Sequence, residues 1–474
     1  MEFHAWAPLF YFPRRYLNLT TCVNNLHYEK LQDGTVKCIE DEIPFEVPEG
    51  WAWCRLNDIY NFIDYRGATP TKITNGIPLV TAKNVKSGYI DYTIDDYISE
   101  EEFKERQQRG ISKKGDILFT TEAPLGNAAL ADMEKFSAGQ RLITFQQYGS
   151  KNELINYVML MFILSDFFQQ QLYVNKTGST VAGIKAAILK TLWIPVPPYN
   201  EQLRISNTLK SAINLIDSIS KNKEILSTSI SNTKSKILDL AIRGKIVPQD
   251  PNDEPASVLL ERIRAEKEEL IKQGKIKRDK KESVIFKGDD NSYYGIHLPD
   301  SWNWASLREI ALSISDGSHN PPPNNGSGIP LLSAANINDN SILMNEISRW
   351  ITNEEWKIEN QRTNIEVGDV LLTIVGSIGR SAVVQNNNHF ALQRSVAVIK
   401  PCLINPLYLM HIVQSPQIQK WLTDNSKGTA QKGIYLNALS LMIIPIPPLA
   451  EQARIVEHIH IAYKHLDLIS NALL

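Results

Sequence analysis

"WIPVPPYNEQLRI" occupies residues 193–205, and "IIPIPPLAEQARI" occupies residues 443–455. A Pro-x-Pro-Pro followed by Glu-Gln-x-Arg-Ile is too particular to be a generic turn, and it is written twice about half a chain apart. Each Pro-Pro holds the chain extended and stops any helix arriving from upstream. Asn200 then offers an N-cap, and Glu201 places negative charge where a helix dipole favours it. The phrase therefore reads as a joint between an extended segment and a helix. A duplicated joint implies that the parts it joins are duplicated too.

The rest of the chain bears this out as a colinear repeat. "VPEGWAWCRLNDI" (47–59) matches "LPDSWNWASLREI" (298–310), and "GIPLVTAKNV" (76–85) matches "GIPLLSAANI" (328–337). "KKGDILFT" (113–120) answers "EVGDVLLT" (366–373), and "GQRLITF" (139–145) answers "LQRSVAV" (392–398). "TGSTVAGI" (177–184) aligns with "KGTAQKGI" (427–434). Short apolar runs such as Ile117–Phe119, Val370–Ile374 and Val396–Ile399 are bounded by turn residues and predict strands. Residues 156–173 and 405–422 each carry the stripe of an amphipathic helix. Trp51 and Trp53, like Trp302 and Trp304, alternate as strand residues do, and a core role is expected of them. The fold class read here is mixed α/β, with two similar globular modules each followed by a helix.

Composition bounds the function. The chain has 474 residues, enough for two to four domains. Its net charge of -2 excludes a pervasive basic surface, so nucleic-acid binding must come from local clusters. The four cysteines, Cys22, Cys38, Cys54 and Cys402, are scattered and fit a reducing cytosol rather than a disulfide scaffold or zinc site. His458, His460 and His465 lack metal-ligand spacing. No apolar run is long enough to cross a membrane. A cytoplasmic protein without metal is expected.

From residue 205 a heptad pattern is sustained through Ile205, Leu209, Ala212, Ile216, Ile219, Lys223, Leu226, Ile230, Thr233, Ile237 and Leu240. The second copy keeps the register with Ile455, Ile459, Ala462, Leu466, Ile469 and Leu473. Packing of these two helices along this seam is expected, with part of the longer first helix unpartnered within the chain. The first would be about 65 Å long at ~1.5 Å per residue. "PQDPNDEP" then reads as a loop, and 256–272 as a short charged helix. Lys272, Lys275, Lys277, Arg278, Lys280 and Lys281 form a basic linker that is either solvated or in contact with a DNA backbone.

Catalytic motifs fail on inspection. "VPPYN" (196–200) resembles the Asn-Pro-Pro-aromatic motif of amino-methyltransferases, but Val196 stands where the amide should be and the second copy reads Pro-Pro-Leu. "HNPPP" (319–323) lacks the aromatic residue, and there is no phosphate loop or S-adenosylmethionine glycine motif. The copies share apolar residues, Gly and Pro, whereas their loops diverge: "DYRGATPTKITN" (64–75) faces "DGSHNPPPNNGS" (316–327). That is how two recognition surfaces on one scaffold would differ.

Side chains able to read bases or grip phosphates are concentrated in those loops. In the first module they are Arg66, Lys72, Lys83, Asn84, Arg141, Lys176, Thr177, Ser179 and Lys185. In the second they are Ser318, His319, Asn336, Ser377, Arg380, Gln393, Arg394, Lys427, Thr429, Gln431 and Lys432. For each, the competing reading is a solvated or fold-capping polar group. Arg141 and Arg394 rank above the rest, because each follows Gln at corresponding positions.

This arrangement resembles the specificity subunit of type I restriction-modification systems. The likeness rests on "PEGWAWCRL" and "PDSWNWASL", "GDILFT" and "GDVLLT", the two Pro-rich phrases, and "GKIVPQDPNDEPASVLLERIRAEKE", and it covers residues 44–474. It implies target-recognition domains at 44–198 and 295–448, a spacer helix at 199–245, a loop, charged helix and basic linker at 246–294, and a second, shorter spacer helix at 449–474. It further implies that each domain reads half of a split, asymmetric site in double-stranded DNA. The helices would set the spacer and dock two methyltransferase subunits, with endonuclease/translocase subunits joining for restriction. The chain itself would be non-catalytic, with no cofactor; S-adenosylmethionine, ATP and Mg would belong to the partners. The alternative is a non-catalytic coiled-coil adaptor, or a silent or variant specificity cassette. Residues 1–43 form an extension outside the likeness; "YEKLQDGTVKCIEDEIPFEVPEGW" (28–51) resembles the linker before a second domain, as if this start were joined by recombination or an upstream start.

Overall fold

In a computed structural model the first Pro-rich phrase is a strand. Trp193–Val196 pairs antiparallel with Ala52–Arg55, placing Pro195 opposite Trp53. Ile443–Ile446 pairs likewise with Asn303–Ser306, placing Pro445 opposite Trp304. Each joint therefore closes its module by zipping its last strand onto its first. The structure describes residues 28–30, 33–65, 69–93, 95–148, 154–178, 182–278, 285, 292–428 and 432–473. Contacts group the chain into two units, Met1–Ser218 and Ile219–Leu474, and the boundary falls within the long helix Tyr199–Ile242.

In the first unit an antiparallel sheet runs in the order Tyr60–Asp64, Leu142–Gln147, Ile117–Thr120, Ala128–Leu130. Both of its faces are covered, which is why "ILFT" is apolar without alternation. Ile117, Phe119, Ile143 and Phe145 pack against Val158, Met159, Ile163, Phe168 and Leu172. On the opposite face Leu118, Ala129 and Leu142 pack against Val80, Phe136 and Ala138. A three-stranded sheet lies beside it, in which Ile77–Val80 pairs antiparallel with Tyr97–Ile98 and parallel with Ser137–Ala138.

The second unit repeats this order with Ala311–Asp316, Val396–Pro401, Val370–Thr373 and Ser381–Val383. Its side sheet again has one antiparallel and one parallel pair around Ile329–Leu332. The expected mixed α/β class is thus observed in both halves.

Four expectations need correction. The stripes at 156–173 and 405–422 are not single helices: each breaks into two, Asn156–Ile163 with Asp166–Val174 and Pro406–Val413 with Pro416–Asp424. A serine starts the second helix in each pair, and Pro416 has no N–H with which to continue the first. The break lets Gln169 and Gln419 reach the carbonyls of Gly126 and Gly379, at 3.0 and 2.9 Å. Gly379, in the glycine-rich "VGSIGRS", has φ +99°, and a Cβ there would lie 2.2 Å from the Gln419 amide oxygen. Its role is packing.

Asn200 is not the N-cap. Pro198 and Pro448 hold that place, their carbonyls accepting from Gln202 and Gln452 at 3.0 Å each. Trp53 and Trp304 lie in strands, but Trp51 and Trp302 precede them. The heptad seam, finally, is not closed along its length within the chain. Ile230, Ile455 and Ile459 are buried, Ile205, Leu209 and Leu466 are half-buried, and Ile216, Ile219, Leu226 and Ile469 are exposed. The two helices meet near Lys234, whose ammonium pairs with Asp467 at 2.5 Å and whose carbonyl accepts from Tyr463 at 3.3 Å. Beyond that point the first helix turns Leu238, Ala241 and Ile242 into the second unit's core. The charged helix Ala256–Lys272 joins the same core through Ala256, Leu259, Leu260 and Ile263, while Lys272, Lys275, Lys277 and Arg278 of the basic linker are exposed and Lys280 and Lys281 lie outside the described residues.

The glutamine of each repeated phrase is fully buried. Gln202 donates to the Pro197 carbonyl at 2.9 Å and accepts from the Ile155 N–H at 2.8 Å. Gln452 does the same with Pro447 at 3.1 Å and Asn405 at 2.9 Å. Truncating either leaves a buried carbonyl and a buried N–H unpaired, at a cost of about 1–3 kcal/mol each. Gln202→Ala and Gln452→Ala should each lower the urea midpoint of unfolding, whereas the exposed Gln108→Ala should not.

A buried histidine makes the second unit acid-sensitive. His411 packs edge-on against Tyr463, and its Nδ1 has no hydrogen-bond partner. Burial, helped by the charge of His460, pushes its pKa down to about 4 from 6.5. The unfolded chain therefore takes up this proton first, and the stability that neutral His411 supports is lost as pH falls from 6.5 towards 4. Thermal melting followed from neutral to acidic pH should show a steeper decline in the wild type than in His411→Leu.

Candidate nucleic-acid interface

Each unit carries a cleft where its sheet edge meets its diverged loops. In the first, a cleft of ≈ 300 Å³ is lined by Thr69, Lys72, Lys83, Gln140 and Arg141, among others. Arg141 sits just before strand Leu142–Gln147, and its carbonyl accepts from the Thr121 N–H at 3.1 Å. Its guanidinium pairs with Glu122 at 3.1 Å, and Lys72 pairs with Asp96 at 2.6 Å. Both pairs are substantially exposed and hold the cations loosely in water. Lys83 is exposed beside them.

The second cleft, also ≈ 300 Å³, is lined by Asp316, His319, Arg394, Lys427 and Tyr435, among others. Here "DGSH" is a crossing point. A Cβ on Gly317 would lie 2.2 Å from the Leu392 carbonyl oxygen, so only glycine lets these two segments approach. The Ser318 N–H donates to Leu392 at 2.7 Å, and the Ser318 carbonyl accepts from Arg394 N–H at 2.9 Å. The motif thus fixes where Arg394 leaves the backbone. Asp316 bonds His319 Nε2 at 2.7 Å and also pairs with Arg362, whose Nε donates to the Asp316 carbonyl at 2.9 Å. Asp316 therefore orients two cationic or donor side chains, while Arg394 and Lys427 remain exposed at the rim.

In each unit a further loop is pinned at its base, in the second at the cleft itself. Thr177 and Gly183 exchange backbone bonds at 2.7 and 3.0 Å, as Lys427 and Gly433 do at 2.8 and 2.9 Å. Ser179, Thr429, Gln431 and Arg66 lie outside the described residues. Of the other candidates, Lys176 sits 5.4 Å from the Tyr173 ring centre, and Thr177 Oγ1 donates to the Gly183 carbonyl at 3.3 Å. Lys185, Ser377, Arg380 and Lys432 are exposed, and Gln393 is half-buried. Arg394 and Lys427 are brought to one rim, as are Lys72, Lys83 and Arg141; Ser377 and Arg380 do not line these clefts.

Two matched candidates are fold-holding groups. Asn84 and Asn336 are buried, with Oδ1 accepting from Thr81 and Ser333 N–H at 2.9 and 3.0 Å. Their Nδ2 groups donate to the Asp91 and Glu346 carbonyls at 3.0 and 2.9 Å. They match between copies because both copies need the same turn. Ser318 is likewise buried, and its backbone is committed to the crossing described above. Conversely, Arg362, Gln140 and Tyr435, which is 69% exposed, belong to the rims and went unselected. The "GQR" triplet carried a signal for Gln140. For Arg362 the signal was "NQR" (360–362), which answers "QQR" (107–109) just upstream of the matched "GD" strands, and it stands on the helix Asn353–Thr363.

Among the described residues no group of His, Cys, Asp and Glu could hold a metal ion, and no helix is long and apolar enough to cross a membrane. The family model described as type I restriction modification DNA specificity domain matches residues 48–227 and again 299–473. The chain is 26% identical to the type I restriction enzyme EcoEI specificity subunit of Escherichia coli, over 94% of this chain and 83% of that one. It is 23% identical to the EcoBI specificity subunit of the same species, over 88% and 81%. The fold is similar to that of the HsdS subunit from Thermoanaerobacter tengcongensis, with TM-score 0.51 and 18% identity over 91% of this chain and 94% of that one. A scaffold matched twice by one family model, with diverged loops at corresponding edges, places this chain in the type I restriction-modification DNA specificity family, whose members are non-catalytic, as the DNA specificity subunit of such a system.

Proposed function

We propose that each module reads one half of a split, asymmetric site in double-stranded DNA. The observation that carries this reading is the pair of clefts. Each sets an arginine, Arg141 or Arg394, at the same place on a repeated scaffold but surrounds it differently. Lys72 and Lys83 flank the first, and His319, Lys427 and Tyr435 flank the second. An arginine in the major groove can bond guanine O6 and N7 or grip phosphate, and its neighbours then set the sequence read. The remaining exposed candidates extend the two surfaces, and Ser179, Thr429 and Gln431 are assigned to DNA binding on their sequence alone.

On this reading residues 44–198 and 295–448 are the recognition domains, and the helices at 199–245 and 449–474 set the distance between half-sites. Ile216, Ile219 and Leu226, apolar heptad positions left exposed along the first helix, support docking of methyltransferase subunits there. Endonuclease/translocase subunits then join for restriction. S-adenosylmethionine, ATP and Mg act on those partners, and the complex works in the cytoplasm.

The test is a long-read methylome of the host with and without the gene. A bipartite N6-methyladenine motif should vanish on deletion, and retention of every such motif would refute the reading. Arg141→Ala and Arg394→Ala should each weaken specific DNA binding by about 1–3 kcal/mol if the arginine reads a base. If the contact is to phosphate, the salt dependence should instead lose ~0.9 in slope. Ile216 is 60% exposed, so Ile216→Asp should leave the melting temperature of the chain unchanged. The same variant should abolish co-purification with methyltransferase subunits.

A further inference from the structure

The second copy of the repeated phrase is gripped by a loop, and among the described residues no such loop meets the first. After the long helix, residues 247–255 fold over the start of helix Leu449–Asn471. Gln249 Nε2 donates to one Glu451 oxygen at 2.6 Å, and Trp302 Nε1 donates to the other at 2.9 Å. Arg454 pairs with Asp253 at 2.5 Å. Ser301 Oγ donates to the Gln249 side-chain oxygen at 3.1 Å, and the Ala256 N–H donates to the Ser301 carbonyl at 2.9 Å. Glu451 is fully buried by this cover, and burial raises its pKa against the bonds from Trp302 and Gln249.

Residue for residue, the first copy presents the same three groups: Trp51, Glu201 and Arg204. The local backbone agrees as well. The Trp51 N–H donates to the Pro48 carbonyl at 3.0 Å, as the Trp302 N–H does to Pro299 at 3.0 Å. Yet the Trp51 indole Nε1 is buried with no hydrogen-bond partner. Glu201 is half-buried rather than buried, Arg204 is exposed, and neither has an ion-pair partner among the described residues. A buried donor without an acceptor is rare and expensive, and here its acceptor in the other copy is known.

We propose that Trp51, Glu201 and Arg204 form a docking socket for a loop of a partner polypeptide carrying a carboxamide and, four residues on, a carboxylate, the chemistry of Gln249 and Asp253. The incoming amide donates to one oxygen of Glu201 and turns the other onto the Trp51 indole N–H. The incoming carboxylate pairs with Arg204. A phosphate or a nucleic-acid strand does not suit this socket, because the Glu201 carboxylate opposes it. The socket lies within the first unit and is independent of the recognition clefts.

The experiment uses the full chain and a fluorescein-labelled peptide with the sequence of residues 245–257, KIVPQDPNDEPAS, followed by fluorescence anisotropy. Saturable binding is expected. It should weaken at least about tenfold in Arg204→Ala, the scale of one lost charge-assisted pair, and equally when alanine replaces Gln249 or Asp253 in the peptide. It should persist in Arg454→Ala. Because Arg204 is exposed, its loss does not threaten folding, which circular dichroism verifies. Three results would each overturn the proposal: no saturable binding by the folded chain, binding indifferent to Arg204→Ala, or binding lost only in Arg454→Ala. The last would mean that the peptide merely displaces the resident loop of the second unit.

Discussion

Everything else in each half hangs on a buried glutamine. Gln202 and Gln452 sit at the first turn of their helices and bond a proline carbonyl on one side and a helix-start N–H on the other. One amide thereby ties the closing strand, the outgoing helix and the helix that covers the sheet. A buried amide is tolerated only when donor and acceptor are both satisfied, and this geometry satisfies both. The prolines make it possible, because they present free carbonyls at fixed backbone angles and cannot themselves be absorbed into the helix.

With the frame held in this way, the sheet can be buried on both faces while its edge is left to vary. Alternate residues of Ile117–Thr120 and Val370–Thr373 point into different cores, so none of these positions can change chemistry cheaply. The loops at the cleft rims carry no such constraint. Lys72 and Lys83 in one half, and His319, Lys427 and Tyr435 in the other, therefore differ freely around matched arginines. Diverged loops on a repeated frame follow from that separation of burial and exposure.

Much of this was legible in the chain. The repeat, the strand segments, the mixed class and the start of the charged helix at Ala256 all follow from patterns of Gly, Pro and apolar residues. Matching polar residues proved a weaker guide. Asn84 and Asn336 match because both turns need an amide, whereas Tyr435 at the second rim stands opposite Lys185 in the repeat and shares no chemistry with it. Heptads also left open which seam positions the chain itself covers, and Ile216 and Leu226 are among those it leaves exposed. Periodicity states that a face is apolar, but not what covers it.

The sequence by itself determined the duplication, the class of each module and the joint between module and helix, because these rest on local backbone chemistry and periodicity. Only the tertiary structure decided which polar side chains reach a cleft and which are consumed in holding a turn. It alone also revealed that the loop 247–255 grips one copy of the joint while Trp51 in the other keeps a buried N–H unpaired. Those outcomes depend on groups far apart in the chain meeting at hydrogen-bond distance. No local pattern encodes such a meeting, because its partners are chosen by packing.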